Sequence, residues 1–162
     1  IIEFCRDQYG EENLQFEVCR VEDIANYFPA NNAPFVIYSC GCMQYVQPEY
    51  IKMFYHDISN FPVAIFVQDI YGYMQGGLFN QDGSKLVGDF AYNHDHARFA
   101  RESNLNVLHE RINYKPGDCA EKFTVGHFFM IASSKGFPVP DTWLDYDGSL
   151  KKNLLENERS CP

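Results

Sequence analysis

Phe35-Val36-Ile37-Tyr38 and, further along, Val63-Ala64-Ile65-Phe66-Val67 are unbroken apolar runs. Turn formers bound both: Asn31-Asn32-Ala33-Pro34 precedes the first, and Asn60 and Pro62 precede the second. Short runs with no polar alternation suit strands buried on both faces, as in the interior of a parallel sheet. Between them Gln47-Pro48 opens a helix, with proline in the first turn, where its missing N–H is not needed. Ile51, Phe54, Tyr55 and Ile58 give that helix one apolar stripe. A strand–helix–strand order places two parallel strands side by side. Phe35–Tyr38 and Val63–Val67 are therefore expected to run in the same direction, with their carboxyl-end loops converging on one pocket.

Outward from this unit the pattern is less regular. Ile2, Cys5 and Tyr9 share a helical face that Gly10 ends. Leu14, Phe16 and Val18 alternate as in a half-buried strand. Glu22 to Phe28 reads as a short helix closed by Pro29. From Gln68 to Gly88 five glycines (Gly72, Gly76, Gly77, Gly83, Gly88) break every period. A long irregular stretch after a central strand lies where open α/β sheets bind ligands. Phe90 to Ser103, or from Asn93 onward, reads as a helix. Val107 and Ile112 fall in one strand and Phe123 to Ser133 in the next. The turn Lys115-Pro116-Gly117-Asp118 between them is too short for a helical crossover, so this pair is an antiparallel hairpin. The fold expected is α/β: a mostly parallel sheet with helices on both faces, ending in an antiparallel hairpin. Residues 1–136 form the domain portion and 137–162 a C-terminal extension or tail.

A net charge of −9 repels phosphate backbones, which argues against a nucleic-acid partner. The longest basic cluster is Lys151-Lys152. No apolar run approaches the roughly 20 residues of a membrane helix, and no secretory signal is visible. The expectation is a cytoplasmic protein without membrane contact. Six cysteines (Cys5, Cys19, Cys40, Cys42, Cys119, Cys161) suit buried, reduced thiols. Cys40-Gly41-Cys42 has no second pair at zinc spacing, so no metal site is expected.

Three segments carry a family likeness: Leu14-Gln15-Phe16-Glu17-Val18-Cys19-Arg20-Val21-Glu22-Asp23-Ile24, Phe35-Val36-Ile37-Tyr38-Ser39-Cys40-Gly41-Cys42-Met43-Gln44-Tyr45-Val46, and Gly126-His127-Phe128-Phe129-Met130-Ile131-Ala132-Ser133. Their wording and order resemble the second half of the class I S-adenosylmethionine-dependent methyltransferases: third strand and acidic turn, fourth strand and loop, closing strand. The likeness implies a Rossmann-like domain truncated at its N-terminus. The family's first strand and glycine-rich turn, and the acidic residue that grips the ribose, would precede Ile1. It also implies S-adenosylmethionine as cofactor and a small-molecule acceptor methylated at oxygen. Arg20 departs from the pattern, because the family often has a hydrogen-bond acceptor there and arginine has none.

On this likeness Val21 and Glu22 border the adenine, against a plain reading as a helix start. Ser39, Cys40 and Gly41 run beside the ribose and sulfonium, with Gly41 allowing close approach, and Tyr45 closes over the ligand. Asp69 ends the fifth strand and is placed to orient a hydroxyl or take its proton. Asn93-His94-Asp95-His96 is the densest polar cluster. His94 is the candidate base, with Asp95 as its orienting partner; the competing reading is that Asn93 or Asp95 caps a helix. Two further readings stand beside the enzyme: a non-catalytic binding domain, favoured by Arg20 and the missing glycine loop, and a metal-dependent hydrolase using His94, Asp95 and His96.

Overall fold

The two apolar runs become neighbouring strands. In the computed structural model, which describes residues 17–73, 78–114 and 124–144 together with Glu3, Arg6 and Asp7, β1 (Phe35–Cys40) and β2 (Val63–Tyr73) pair in parallel, from Phe35 opposite Val63 to Cys40 opposite Gln68. Helix α1 (Pro48–Ile58) connects them, starts on its proline and buries Ile51, Phe54, Tyr55 and Ile58. A 3-10 helix, Val21–Tyr27, packs against α1.

The small hairpin β3 (Ser84–Val87) and β4 (Ala91–His94) forms a sheet of its own. Helix α2 (His96–Glu102) follows it. β5 (Asn106–Tyr114) and β6 (Thr124–Ser133) then complete the main sheet, in the order β1-β2-β6-β5. β6 runs antiparallel to both β2 and β5, so three strands point one way with a reversed strand among them.

This corrects the expected Rossmann-like, mostly parallel sheet. Only β1 and β2 pair in parallel, and the other two pairings are antiparallel. The apolar run in β2 correctly marks a central strand, with Val63, Ala64, Ile65 and Val67 fully buried. It carries no information about the direction of the second neighbour. The two longer helices, α1 and α2, both pack on one face of the sheet. Val63, Ile65, Val67 and Tyr71 of β2 join Phe128, Met130 and Ala132 of β6 in one core with α1 and α2. On the opposite face Val36, Tyr38 and Ile70 remain 52%, 65% and 45% exposed. There the short helix α3 (Asp141–Leu144) sets Trp143 edge-on against Phe66, with ring centroids 5.1 Å apart.

Other boundaries shift for local reasons. The stretch from Gln68 to Gly88 is not irregular throughout, since β2 extends to Tyr73 and β3 begins at Ser84. The helix expected from Phe90 or Asn93 starts only at His96. Asp95 is its N-cap, accepting the Arg98 amide at 3.0 Å, and Asn93 and His94 belong to β4. Val18 is 78% exposed and residues 17–20 carry no regular structure, against the expected strand. Most of the N-terminal helix, the first part of that strand and the turn Lys115–Asp118 lie outside the described residues. Cys19, Cys40 and Cys42 are free but exposed rather than buried: Cys40 ends the edge strand and Cys42 sits in the turn after it. No helix among the described residues is long and apolar enough to cross a membrane.

Gly83 joins the hairpin to α2. Its φ is +86°, its carbonyl accepts the Asp95 amide at 2.8 Å, and a Cβ there would stand 2.7 Å from the Phe99 ring. Gly88 has a similar φ of +68° but open space around it. Gly83→Ala is therefore expected to lower unfolding free energy by about 1–3 kcal/mol beyond the cost of Gly88→Ala. Urea denaturation of both variants measures the difference, because only Gly83 adds overpacking to backbone strain.

Candidate functional site

A cavity of about 430 Å³ opens beside β1 and reaches its carboxyl end. β1 contributes Ile37, Tyr38 and Ser39, the following turn Cys42, Met43 and Val46, and α1 Phe54. Val21, Ile24 and Tyr27 of the 3-10 helix face them, with Glu17, Cys19 and Arg20 on the approach. The size falls in the range of small-molecule sites, and the lining is mostly apolar, as such sites are. Ser39 is 8% exposed and its hydroxyl has no hydrogen-bond partner. Just beyond it Gly41 turns the chain with φ +66°, its amide bonded to the Gln68 carbonyl at 2.7 Å and nothing within 4 Å of where a side chain would begin.

Of the residues expected to hold a cofactor, Val21 and Ser39 meet in this lining. Gly41 is adjacent. Glu22 and Cys40 are exposed and lie outside the lining. Tyr45 is also outside it; its exposed ring stacks on that of Phe90 at 5.9 Å.

Asp69 and His94 are elsewhere, sealed beneath the helices. Asp69 Oδ2 lies 3.0 Å from His96 Nε2, and His96 Nδ1 lies 3.0 Å from the Tyr55 hydroxyl. A carboxylate only accepts, so Nε2 carries the hydrogen, and in the neutral ring Nδ1 accepts from Tyr55. Both side chains of the Asp69–His96 pair are fully buried. The other oxygen, Asp69 Oδ1, has no partner. Burial, and then the Asp69 charge, push the Tyr55 phenol well above its ordinary value. Tyr71 is raised in the same way, by burial first and then by Tyr55 and Asp69; its hydroxyl donates to the His94 carbonyl.

His94 is fully buried with both ring nitrogens engaged. Nε2 donates to the Val46 carbonyl at 3.0 Å, which leaves Nδ1 to accept from the Ser84 hydroxyl at 2.9 Å. Burial, with the neighbouring His96, lowers its pKa to about 4. A base needs a free lone pair and a pKa near the working pH, and His94 offers neither at neutral pH.

No family model matches this chain, and no curated protein aligns with it significantly.

The four polar residues that look reactive in sequence are instead four separate ties. Asn93 bonds the Gly72 backbone in both directions, at 2.6 and 3.0 Å, and holds the hairpin to β2. His94 holds the turn after β1, Asp95 caps α2 instead of orienting His94, and His96 anchors Asp69. Among the described residues no group of three or more His, Cys, Asp or Glu is placed to hold a metal ion. The hydrolase reading loses its ligands to these bonds. Ser84 and Tyr55 were missed. Tyr55 had one signal, a hydroxyl on an otherwise aliphatic and phenylalanine stripe.

The His94 environment sets a pH dependence. Its folded-state value of about 4 lies below the ordinary 6.5. The unfolded chain therefore binds the proton more readily between those values. The stabilisation is complete above about pH 6.5 and is lost as the pH falls toward 4, on the order of 3 kcal/mol in all. Urea midpoints at several pH values across this window should show the loss in the wild type and a flatter profile in His94→Gln.

Proposed function

We propose that this chain is part of an S-adenosylmethionine-dependent methyltransferase acting at oxygen on a small acceptor, and that it contributes one side of the cofactor site, with the adenosine end against Val21 and Ser39. The observation that carries the reading is the apolar cavity at the carboxyl end of a parallel strand pair, with one buried, unpartnered hydroxyl in its wall. Ile24, Ile37 and Met43 offer apolar surface in the lining against which a planar base would lie. A ribose hydroxyl or ring nitrogen would satisfy Ser39 Oγ, removing the cost of a buried polar group left unmade. The Asp23 amide bonds the Arg20 carbonyl at 3.1 Å, so only the amides of Val21 and Glu22 begin the 3-10 helix without an intrahelical acceptor, which suits the edge of the base near Val21. Gly41 leaves the backbone open to close approach. When bound, the cofactor supplies an electrophilic methyl on sulfur, and the residues named here hold and orient it.

A second reading, a binding domain without catalysis, is favoured by the sealed positions of Asp69 and His94. Neither is among the residues that line the cavity and both are buried, with His94 only bonded from behind to the carbonyl of the lining residue Val46, so neither is placed to take a proton from an acceptor there.

Titration of the ¹⁵N-labelled chain with S-adenosylhomocysteine tests the site. Amides of Val21, Ile37, Ser39 and Met43 should shift with a Kd of about 1 mM, close to −4 kcal/mol. Ser39→Ala should weaken binding about fivefold, for one lost hydrogen bond near 1 kcal/mol. No shift at these amides in the millimolar range would overturn the proposal. Binding without methyl transfer to any of a panel of phenols and alcohols would leave the non-catalytic reading.

A further inference from the structure

At the amino end of β1 three turns meet. β1 and β2 begin there behind Pro34 and Pro62, α1 ends there at Ile58, and β6 ends there at Ser133. Backbone bonds fix the arrangement. The Phe35 amide donates to the Pro62 carbonyl at 3.1 Å. Val63 and Ser134 are tied twice: the Ser134 amide donates to the Val63 carbonyl at 2.8 Å, and the Val63 amide donates to the Ser134 hydroxyl oxygen at 2.9 Å. The Phe137 amide then closes a β-turn on the Ser134 carbonyl at 3.1 Å. Between these turns lies a second cavity, of about 400 Å³, which shares no lining residue with the first.

One wall of this cavity is the turn Ser134-Lys135-Gly136. Ser134 is 5% exposed, and a hydroxyl that accepts from the Val63 amide keeps its own hydrogen to give. Among the described residues the Lys135 ammonium and the amides of Lys135 and Gly136 have no partner. Pro34, Phe61 and Pro62 supply apolar surface. The end of α1 closes the other side. A helix C-terminus opposes an anion, but here the Ser59 hydroxyl and the Asn60 side-chain amide already donate to the His56 carbonyl, at 2.7 and 3.2 Å. No aspartate or glutamate is among the described lining residues, and Lys135 is the one ionisable group in that set, in a chain of net charge −9.

From this geometry we infer that the cavity binds a small organic carboxylate, its oxygens on the Lys135 ammonium and the donors of Ser134–Gly136, its apolar body against Phe61 and Pro62. A single positive charge matches a monoanion and undercompensates a phosphate dianion. An inorganic ion would also leave the phenylalanine and proline surfaces uncovered, whereas a carbon skeleton buries them. Charge-assisted bonds to a carboxylate are the stronger kind, and the donors of the turn are held in place before the ligand arrives. This inference does not depend on the nucleoside reading, because the two cavities have no residue in common.

The probe is benzoate, titrated into the full ¹⁵N-labelled chain. The amides of Asn60, Lys135 and Gly136 should shift together with a Kd of about 5 mM. Benzamide, which keeps the ring and loses the charge, should bind at least about tenfold more weakly. Lys135 is exposed and makes no described bond, so Lys135→Met keeps the stem and should leave the thermal midpoint unchanged while weakening benzoate about fivefold. Four results would each overturn the inference: no shift at these amides up to about 50 mM benzoate, equal binding of benzamide, undiminished binding in Lys135→Met, or inorganic phosphate binding as tightly as benzoate.

Discussion

A carboxyl group buried in the central strand organises this protein. Asp69 lies in the central strand with its side chain fully buried, and His96 stands 3.0 Å away. A buried charge is tolerated only when a partner is held in place against it. Holding His96 requires α2 to begin where it does, and Asp95 fixes that start through its cap. Holding the imidazole ring also requires Tyr55, which α1 delivers from the other side. One interaction thus sets the relative positions of β2, α1 and α2. Removing either partner would leave an uncompensated polar group in the core, a loss that typically reaches several kcal/mol.

The hairpin β3–β4 is fastened by the same logic with neutral groups. Asn93 supplies both hydrogen-bond directions to Gly72, and His94 bridges Ser84 and Val46. The turn after β1, which forms one wall of the cavity, is therefore positioned by a histidine that itself never reaches the cavity. Rigid placement of that wall is what a binding site built on a turn needs, since turns left to themselves are the more mobile parts of a fold.

The strand–helix–strand unit was legible because each of its elements is decided locally. The stripe Ile51, Phe54, Tyr55, Ile58 has only one period, Pro48 has only one good helical position, and both apolar runs are too short for helices. The neighbours of β2 were not legible, because strand order and direction depend on contacts between residues far apart in sequence. The boundary at His96 was misplaced because Asn93 and Asp95 are both good caps, and only the bonds of Asn93 to Gly72 decide between them. At the cavity, Val21 and Ser39 had been singled out through family likeness, and the structure brings both into one lining. The burial of Asp69 and His94, and the hydrogen bonds that tie each to another element, cannot be read from a cluster of polar letters.

The uneven covering of the sheet has an optical consequence. Trp143 is the chain's single tryptophan, and it rests on the face away from the helices, against Phe66 and stacked on Phe137 at 5.9 Å. Its fluorescence reports the seating of α3 on that side of the sheet alone. Tyr55 and Tyr71 belong to the polar core, and the indole to the surface behind it. A shift of the tryptophan emission before the loss of far-ultraviolet ellipticity would reveal loosening of that side first without any added label.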